Sequence, residues 1–181
     1  MNICIFGASS NDIDQKYIDD VFHLGELMAE NGHALVFGGG QRGLMGAAAR
    51  GMKAKGGYVI GIAPVVFDDD TILFPGLDEK HITKNLTDRK EMMMALSDVF
   101  IAVPGGFGTY DELFEVLSNH QMGYHDKSVI LLNTDGFYDT LWKFIGEAVD
   151  KGFIVGGNQD CCYIANSPEE ALEIINKVVN I

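Results

Sequence analysis

Three groups of residues have the types and spacing for chemistry. The first is Pro104-Gly-Gly-Phe-Gly-Thr-Tyr-Asp-Glu112. It follows a run, Asp98 to Val103, that reads as a buried strand, and it opens an amphipathic stretch, Thr109 to Met122, that reads as a helix. A glycine loop between a strand and a helix start is a place to hold a phosphate. The first N–H groups of the helix lack intrahelical partners, and the helix dipole is positive there. Gly105, Gly106 and Gly108 let the backbone approach an anion with no Cβ in the way. Thr109 is expected to cap the helix and to offer a hydroxyl. Glu112 lies one turn further in, and a carboxylate beside an anion site points to chemistry on the rest of a phosphorylated ligand.

The second group is Gly38-Gly-Gly-Gln-Arg-Gly-Leu-Met-Gly46, another strand–glycine–helix junction. It lacks both the dinucleotide fingerprint in the first strand–helix turn and the GK[ST] ending of a P-loop. Taken alone it reads equally well as a tight turn with close helix packing. Beside the first loop, it gains a ligand-cradling reading through Gly39 and Gly40. The third group is Thr87-Asp-Arg-Lys90, at the start of a predicted helix capped by Thr87 or Asn85. Arg89 and Lys90 there oppose the helix dipole, a penalty that an anion would reverse. As an isolated pair they read as solvated charges. Arg42 is a weaker candidate cation. Asp111, Glu112 and Glu115 cluster after the first loop. Dipole preference explains Asp111, while Glu112 and Glu115, three apart, share one face.

Other chemistries find little support. The five histidines are scattered, and no Ser/His/Asp or Cys/His set stands out. Met92-Met-Met94 reads as core or subunit contact. Cys4, Cys161 and Cys162 are odd in number, and no Cys or His pairs stand at metal-ligand spacing. The expectation is therefore no metal, no cofactor, no disulfide framework and a reducing cytoplasm. The N-terminus runs straight into a short strand with no secretory pattern, and no apolar run approaches the roughly 20 residues of a membrane span. A formal charge of -13 argues against nucleic acid and anionic membranes as partners. It leaves room for a small phosphorylated ligand held where the few cations gather.

These groups need a scaffold. The 181 residues, 47% of them hydrophobic, suit a single domain over 1–181 with a substantial core. Strand readings fall at Ile3–Phe6, His33–Phe37, Tyr58–Ala63, Asp98–Val103, Ser128–Leu132 and Cys162–Ala165. Helix readings fall at Gln15–Asn31, Gly43–Lys55, Thr109–Met122 and Phe137–Lys151. A last helix begins at Ser167-Pro-Glu-Glu170 with a capping box and Pro168 at its first position. Apolar strands alternating with helices predict an α/β, Rossmann-like, doubly wound and mostly parallel sheet with helices on both faces. The glycine clusters all follow strands, on the rim where such sheets bind ligands. Residues 64–77, with Asp68-Asp-Asp70, read as a mobile loop over that rim.

With these residues in place the chain resembles the LOG family, the cytokinin riboside 5′-monophosphate phosphoribohydrolases often labelled lysine decarboxylases. PGGFGTYDE fits the PGGxGTxxE signature. Gly7-Ala-Ser-Ser10, Gly38-Gly-Gly40 with Gly43-Leu-Met-Gly46, Arg89-Lys90, Gln121 to Lys127, Asp135-Gly-Phe-Tyr138 and Gly152-Phe-Ile154 extend the likeness over nearly the whole chain. The resemblance implies a Rossmann-like fold. It also implies hydrolysis of the N-glycosidic bond of a nucleoside 5′-monophosphate, preferably of an N6-modified adenine, to free base and ribose 5-phosphate. It maps the functional arginine and glutamate onto Arg89 and Glu112, and implies a homodimer with sites near the interface.

On this reading Gly105, Gly106, Gly108 and Thr109 hold the 5′-phosphate. Lys90, Gly39, Gly40, Met45, Ser9 and Glu115 complete the candidate substrate-binding set. Alanine at Glu112 or Arg89 is expected to remove most activity and leave the fold intact. None of Lys53, Lys55, Lys80, Lys84, Lys90 or Lys127 stands out as the Schiff-base lysine that a decarboxylase requires. The serious alternative is a non-catalytic nucleotide or cofactor carrier of similar fold.

Overall fold

Short apolar runs become strands, and the amphipathic stretches between them become helices. The computed structural model describes residues 1–155 and 161–178. In chain order the elements are β1 (Asn2–Phe6), α1 (Gln15–Glu30), β2 (Ala34–Phe37), α2 (Gly43–Ala54), β3 (Tyr58–Pro64), β4 (Glu79–Thr83), α3 (Leu86–Leu96), β5 (Val99–Ala102), α4 (Phe107–Gln121), β6 (Val129–Leu132), α5 (Asp139–Asp150), β7 (Cys162–Ala165) and α6 (Pro168–Val178). The strands form one sheet in the order β4-β3-β2-β1-β5-β6-β7, and every pairing is parallel.

The strand residues alternate between two cores, as parallel strands covered on both faces must. Ile3, Ile5, Leu35, Phe37, Val99, Ile101, Ile130 and Leu132 face the layer of α1, α2 and α6. Cys4, Phe6, Val36, Phe100, Ala102, Val129 and Leu131 face the layer of α3, α4 and α5, where Met93, Leu113, Val116 and Tyr138 meet them. Helices α1 and α2 touch through small residues. A Cβ on Gly25 would lie 2.4 Å from the Ala48 carbonyl oxygen, and one on Gly51 2.0 Å from that of Phe22.

The sequence reading misses β4. Its residues, Glu-Lys-His-Ile-Thr, are mostly polar because the strand lies at the sheet edge and leaves much of its surface to solvent. Helix α5 starts later than expected, because a 3-10 turn over Thr134–Gly136 puts Asp135 at a left-handed φ of 55° before the chain can enter the helix. The capping box of α6 is half formed. Ser167 Oγ accepts from the Glu170 N–H at 3.2 Å, but the Glu170 carboxylate accepts from the Asn166 N–H rather than from Ser167.

The strand order fixes where a ligand can sit. Chain connections wind one way from β1 through β2 and β3, and the other way from β5 through β6 and β7. The loops leaving β1 and β5 therefore diverge and open a crevice at their carboxyl ends. Residues 64–77 leave β3 beside it and are tied down by backbone bonds. Phe74 N–H donates to Gly39 O at 2.8 Å, and Gln41 N–H to Ile72 O at 3.0 Å.

Candidate active site

The crevice is built from the first loop. Strand β5 delivers Val103 and Pro104, and Gly106 takes an extended conformation (φ -106°, ψ -154°) as the N-cap of α4 with no side-chain cap. This corrects the expected role of Thr109. Helix α4 begins at Phe107, two residues earlier than the sequence suggests, so Thr109 lies inside the first turn. Its side chain is buried beneath Gly105, where a Cβ would stand 2.0 Å from Thr109 Oγ1. Thr109 thus packs the loop from below instead of capping the helix. Gly106 and Gly108 differ from Gly105. A Cβ on either would meet nothing within 4 Å, and neither has a positive φ. The packing does not require glycine at these two positions, and they leave a bare backbone surface at a positive helix end.

Glu112 lies one turn deeper. Its carboxylate Oε1 is 2.9 Å from Arg89 Nη1, with both side chains close to 10% exposed. Arg89 reaches it from the first turn of α3, which is capped by Asn85 accepting from the Asp88 N–H at 2.9 Å. The guanidinium is seated twice more. Nε donates to the Ile62 carbonyl at the end of β3, at 3.1 Å, and Nη2 occupies the space a Cβ on Gly38 would fill, 2.1 Å away. The reading of Arg89 as a solvated charge is therefore overturned: its side chain is mostly covered, and it is paired. Burial raises the Glu112 carboxyl above its ordinary value of 4.5, and Arg89 opposes that rise without cancelling it. Removing either partner would strand the other charge, at a stability cost of about 3–5 kcal/mol. Alanine at 112 or 89 is therefore expected to weaken the fold as well as activity, and Glu112→Gln is the cleaner probe.

Lys90 lies beside this pair. Its Nζ is 2.9 Å from Asp111 Oδ2 and also pairs with Glu115. The Glu115 bond, and after it Asp111, keeps the ammonium above its ordinary range despite partial burial. Two carboxylates neutralise the charge that the phosphate-binding assignment needed, and they make Lys90 a tie between α3 and α4. Glu115 is the other half of that tie.

The second glycine junction lies alongside, and packing explains most of its glycines. Gly38 seats Arg89. Gly39 (φ 76°) lies against Leu73, and Gly43 (φ 58°) faces Ala8 O, Ser9 C and Ser10 O, all under 3 Å from a Cβ. Met45 and Gly40 touch each other, with Met45 Cε 3.5 Å from the Gly40 Cβ position. Ser9 is exposed on the loop that wraps the start of α2. Arg42 is the N-cap residue of α2 and stays exposed. The structure thus brings Arg89 and Glu112 together against Gly38, and sets Ser9 on the loop after β1, Gly39 and Gly40 after β2 and Met45 in the first turn of α2 nearby. Sequence reasoning missed Gly38 and the Ile62 carbonyl as the seat of the arginine. No local pattern marks either, because the contact spans 27 residues from Ile62 to Arg89.

Comparison with known proteins identifies the family. Residues 45–175 match the family model described as possible lysine decarboxylase. A cytokinin riboside 5′-monophosphate phosphoribohydrolase of Arabidopsis thaliana is 37% identical over 177 residues, which cover 98% of this chain and 83% of that protein. One of Oryza sativa subsp. japonica is 38% identical over 176 residues, covering 97% and 72%. Among solved structures, the Moco carrier protein of Chlamydomonas reinhardtii superposes with a TM-score of 0.77 at 26% identity, covering 99% of this chain and 97% of that one. The chain belongs to the cytokinin riboside 5′-monophosphate phosphoribohydrolase family, the LOG family, whose sequence model carries the lysine decarboxylase description.

Proposed function

We propose that this protein hydrolyses the N-glycosidic bond of an N6-modified adenosine 5′-monophosphate, releasing the free base and ribose 5-phosphate. The observation that carries the reading is a buried carboxylate, Glu112, paired with the mostly covered guanidinium of Arg89, one helical turn below a glycine helix start with no side-chain cap. The bare backbone at Gly106 and Gly108, with Gly105 and Thr109 shaping the loop, receives the 5′-phosphate. Binding energy taken far from the reacting bond then fixes the ribose over Glu112. As the C1′–N9 bond breaks, its electron pair leaves with the purine and positive charge builds on the ribosyl ring. The Glu112 carboxylate stabilises that charge and takes a proton from the water whose oxygen joins C1′. The departing purine gains a proton in turn. Arg89 keeps Glu112 ionised and aimed.

The decarboxylase description fits less well. Lys90, the lysine beside Glu112, is held as an ammonium by two carboxylates and is no candidate for a Schiff base. A carrier function has one specific point in its favour, the likeness to the Moco carrier protein. Carriage alone gives no role to a buried carboxylate whose charge is disfavoured by burial.

We read the protein as a single domain and a cytoplasmic homodimer. Helix α4 and the turn after it expose Phe107, Phe114, Met122 and Tyr124, an apolar face that begins at the site itself and suits a second copy. Light scattering of the purified protein tests the dimer.

One assay separates the functional readings. The protein is incubated with AMP, an N6-prenylated AMP and the matching nucleosides, and free base and ribose 5-phosphate are measured. Release from the monophosphates but not the nucleosides is the expected result. Binding without release points to the carrier.

A further inference from the structure

We propose that Tyr138 is a positioning residue for the phosphate loop, holding Pro104–Thr109 at its working height from a place no substrate touches. This rests on the phosphoribohydrolase reading, since it concerns the loop that receives the 5′-phosphate.

Tyr138 is fully buried in the α3–α5 layer. Its hydroxyl donates to the carbonyl oxygen of Val103 at 2.8 Å. A buried hydroxyl needs a partner, and the partner here is the carbonyl just before Pro104. Val103 lies past the last β5–β6 pair, Ala102↔Leu131, so the ladder has ended where Tyr138 takes over. From the other side β1 holds the same segment. Val103 N–H donates to Phe6 O at 2.9 Å, and Ala8 N–H to Pro104 O at 3.1 Å. Gly7 makes room for this contact, since its Cβ would lie 2.4 Å from Val103 Cγ2. The root of the loop is thus gripped by β1 on one side and by Tyr138 on the other.

Tyr138 is itself held rigidly. Its N–H donates to Asn133 Oδ1 at 2.7 Å, and Asn133 Nδ2 donates to Asp139 Oδ1 at 2.8 Å and to Asn166 Oδ1 at 3.1 Å. The ring meets Phe137 edge-on, with centroids 5.0 Å apart. The end of β6 and the start of α5 therefore brace the loop that follows β5. Phenylalanine would fill the same space, so packing does not account for the hydroxyl. Among the described residues, the hydroxyl's hydrogen-bond partner is the Val103 carbonyl at the root of that loop.

The test is Tyr138→Phe, which keeps the ring packing. Three quantities are read: KM and kcat for the monophosphate, the Kd of ribose 5-phosphate by calorimetry, and amide hydrogen exchange over residues 104–109. The control is Ile175→Val, which trims the core on the opposite face of the sheet. Tyr138→Phe is expected to raise KM and the ribose 5-phosphate Kd about tenfold, with kcat within about twofold, and to speed exchange in the loop. Ile175→Val is expected to move melting temperature only. The proposal is overturned if Tyr138→Phe lowers melting temperature with loop exchange and Kd unchanged. It is equally overturned if Ile175→Val reproduces the loss of affinity. Failure of the phosphoribohydrolase reading looks different: the unmodified protein would bind no ribose 5-phosphate, while the exchange comparison would still show whether Tyr138 holds the loop.

Discussion

Two strand–glycine–helix junctions lie side by side on this sheet, and their glycines are there for different reasons. At Gly38–Gly46 the neighbours account for nearly every one. Gly38 makes room for Arg89, Gly39 and Gly43 carry left-handed backbone, and Gly46 lies against the Gln41 carbonyl. At Pro104–Thr109 only Gly105 is explained this way, by Thr109 beneath it; Gly106 and Gly108 face open space with ordinary backbone. A glycine required by its own fold says nothing about a ligand. A glycine the fold does not require, at an uncapped helix start, points outward. The Gly38–Gly46 junction thus seats Arg89, and the Pro104–Thr109 junction presents open backbone, which on the proposed function meets the phosphate.

The sharpest break in this comparison comes from Glu112→Gln. Loss of the carboxylate one turn below the Pro104–Thr109 loop is expected to lower turnover by about 10²–10³, with ribose 5-phosphate binding retained. Base release under single-turnover conditions measures it.

Stability separates the junctions next. Gly43→Ala forces a Cβ to 2.2 Å from the Ala8 carbonyl on a left-handed backbone. It is expected to destabilise by about 3 kcal/mol, lowering the melting temperature by roughly 6–12 °C. Gly106→Val is expected to do the reverse. It should raise KM about tenfold by filling the anion surface, while melting stays within about 3 °C of the parent. Calorimetric melting and steady-state kinetics on the two variants decide the point.

A pH series sharpens the role of Glu112. Its folded carboxyl titrates above 4.5 because burial outweighs the pull of Arg89. Activity should therefore fall away on an acid limb above the ordinary carboxylate range. Stability moves the other way: a raised folded value means the native state holds the proton more tightly than the unfolded chain. The contribution of this group is greatest below 4.5 and is lost as pH rises through the folded value. Denaturation of wild type and Glu112→Gln from pH 4 to 8 should show wild type losing relative stability with rising pH over that window.

The smallest effect is the most discriminating in sign. Gly108→Ala lies in α4, where alanine favours helix by about 0.5–1 kcal/mol over glycine. Melting temperature should rise by roughly 1–4 °C while substrate affinity drops. A drop in both would mean that Gly108 serves the fold after all.

Much of this was legible in the sequence because it is local. Strand, glycine loop and helix start follow one another within the 25 residues from Asp98 to Met122, and period and loop chemistry suffice to read them. The parallel sheet followed from the alternation of apolar runs with amphipathic ones. What the sequence hid depends on distant partners. Arg89 looked solvated because its seats, Gly38 and the Ile62 carbonyl, arrive from β2 and β3. Lys90 looked like an anion ligand because its two carboxylates lie on another helix. Thr109 fits the cap pattern, but the helix starts two residues earlier because Gly106 can cap it and Thr109 packs under Gly105. Strand β4 was invisible because an edge strand needs no continuous apolar run.

A crystal structure with ribose 5-phosphate tests the central claim most directly. The account predicts the phosphate on the N–H groups at Gly106–Thr109, with the anomeric carbon of the ribose facing the Glu112 carboxylate. A phosphate bound instead at Gly39–Gly43, with the sugar turned away from Glu112, would contradict it.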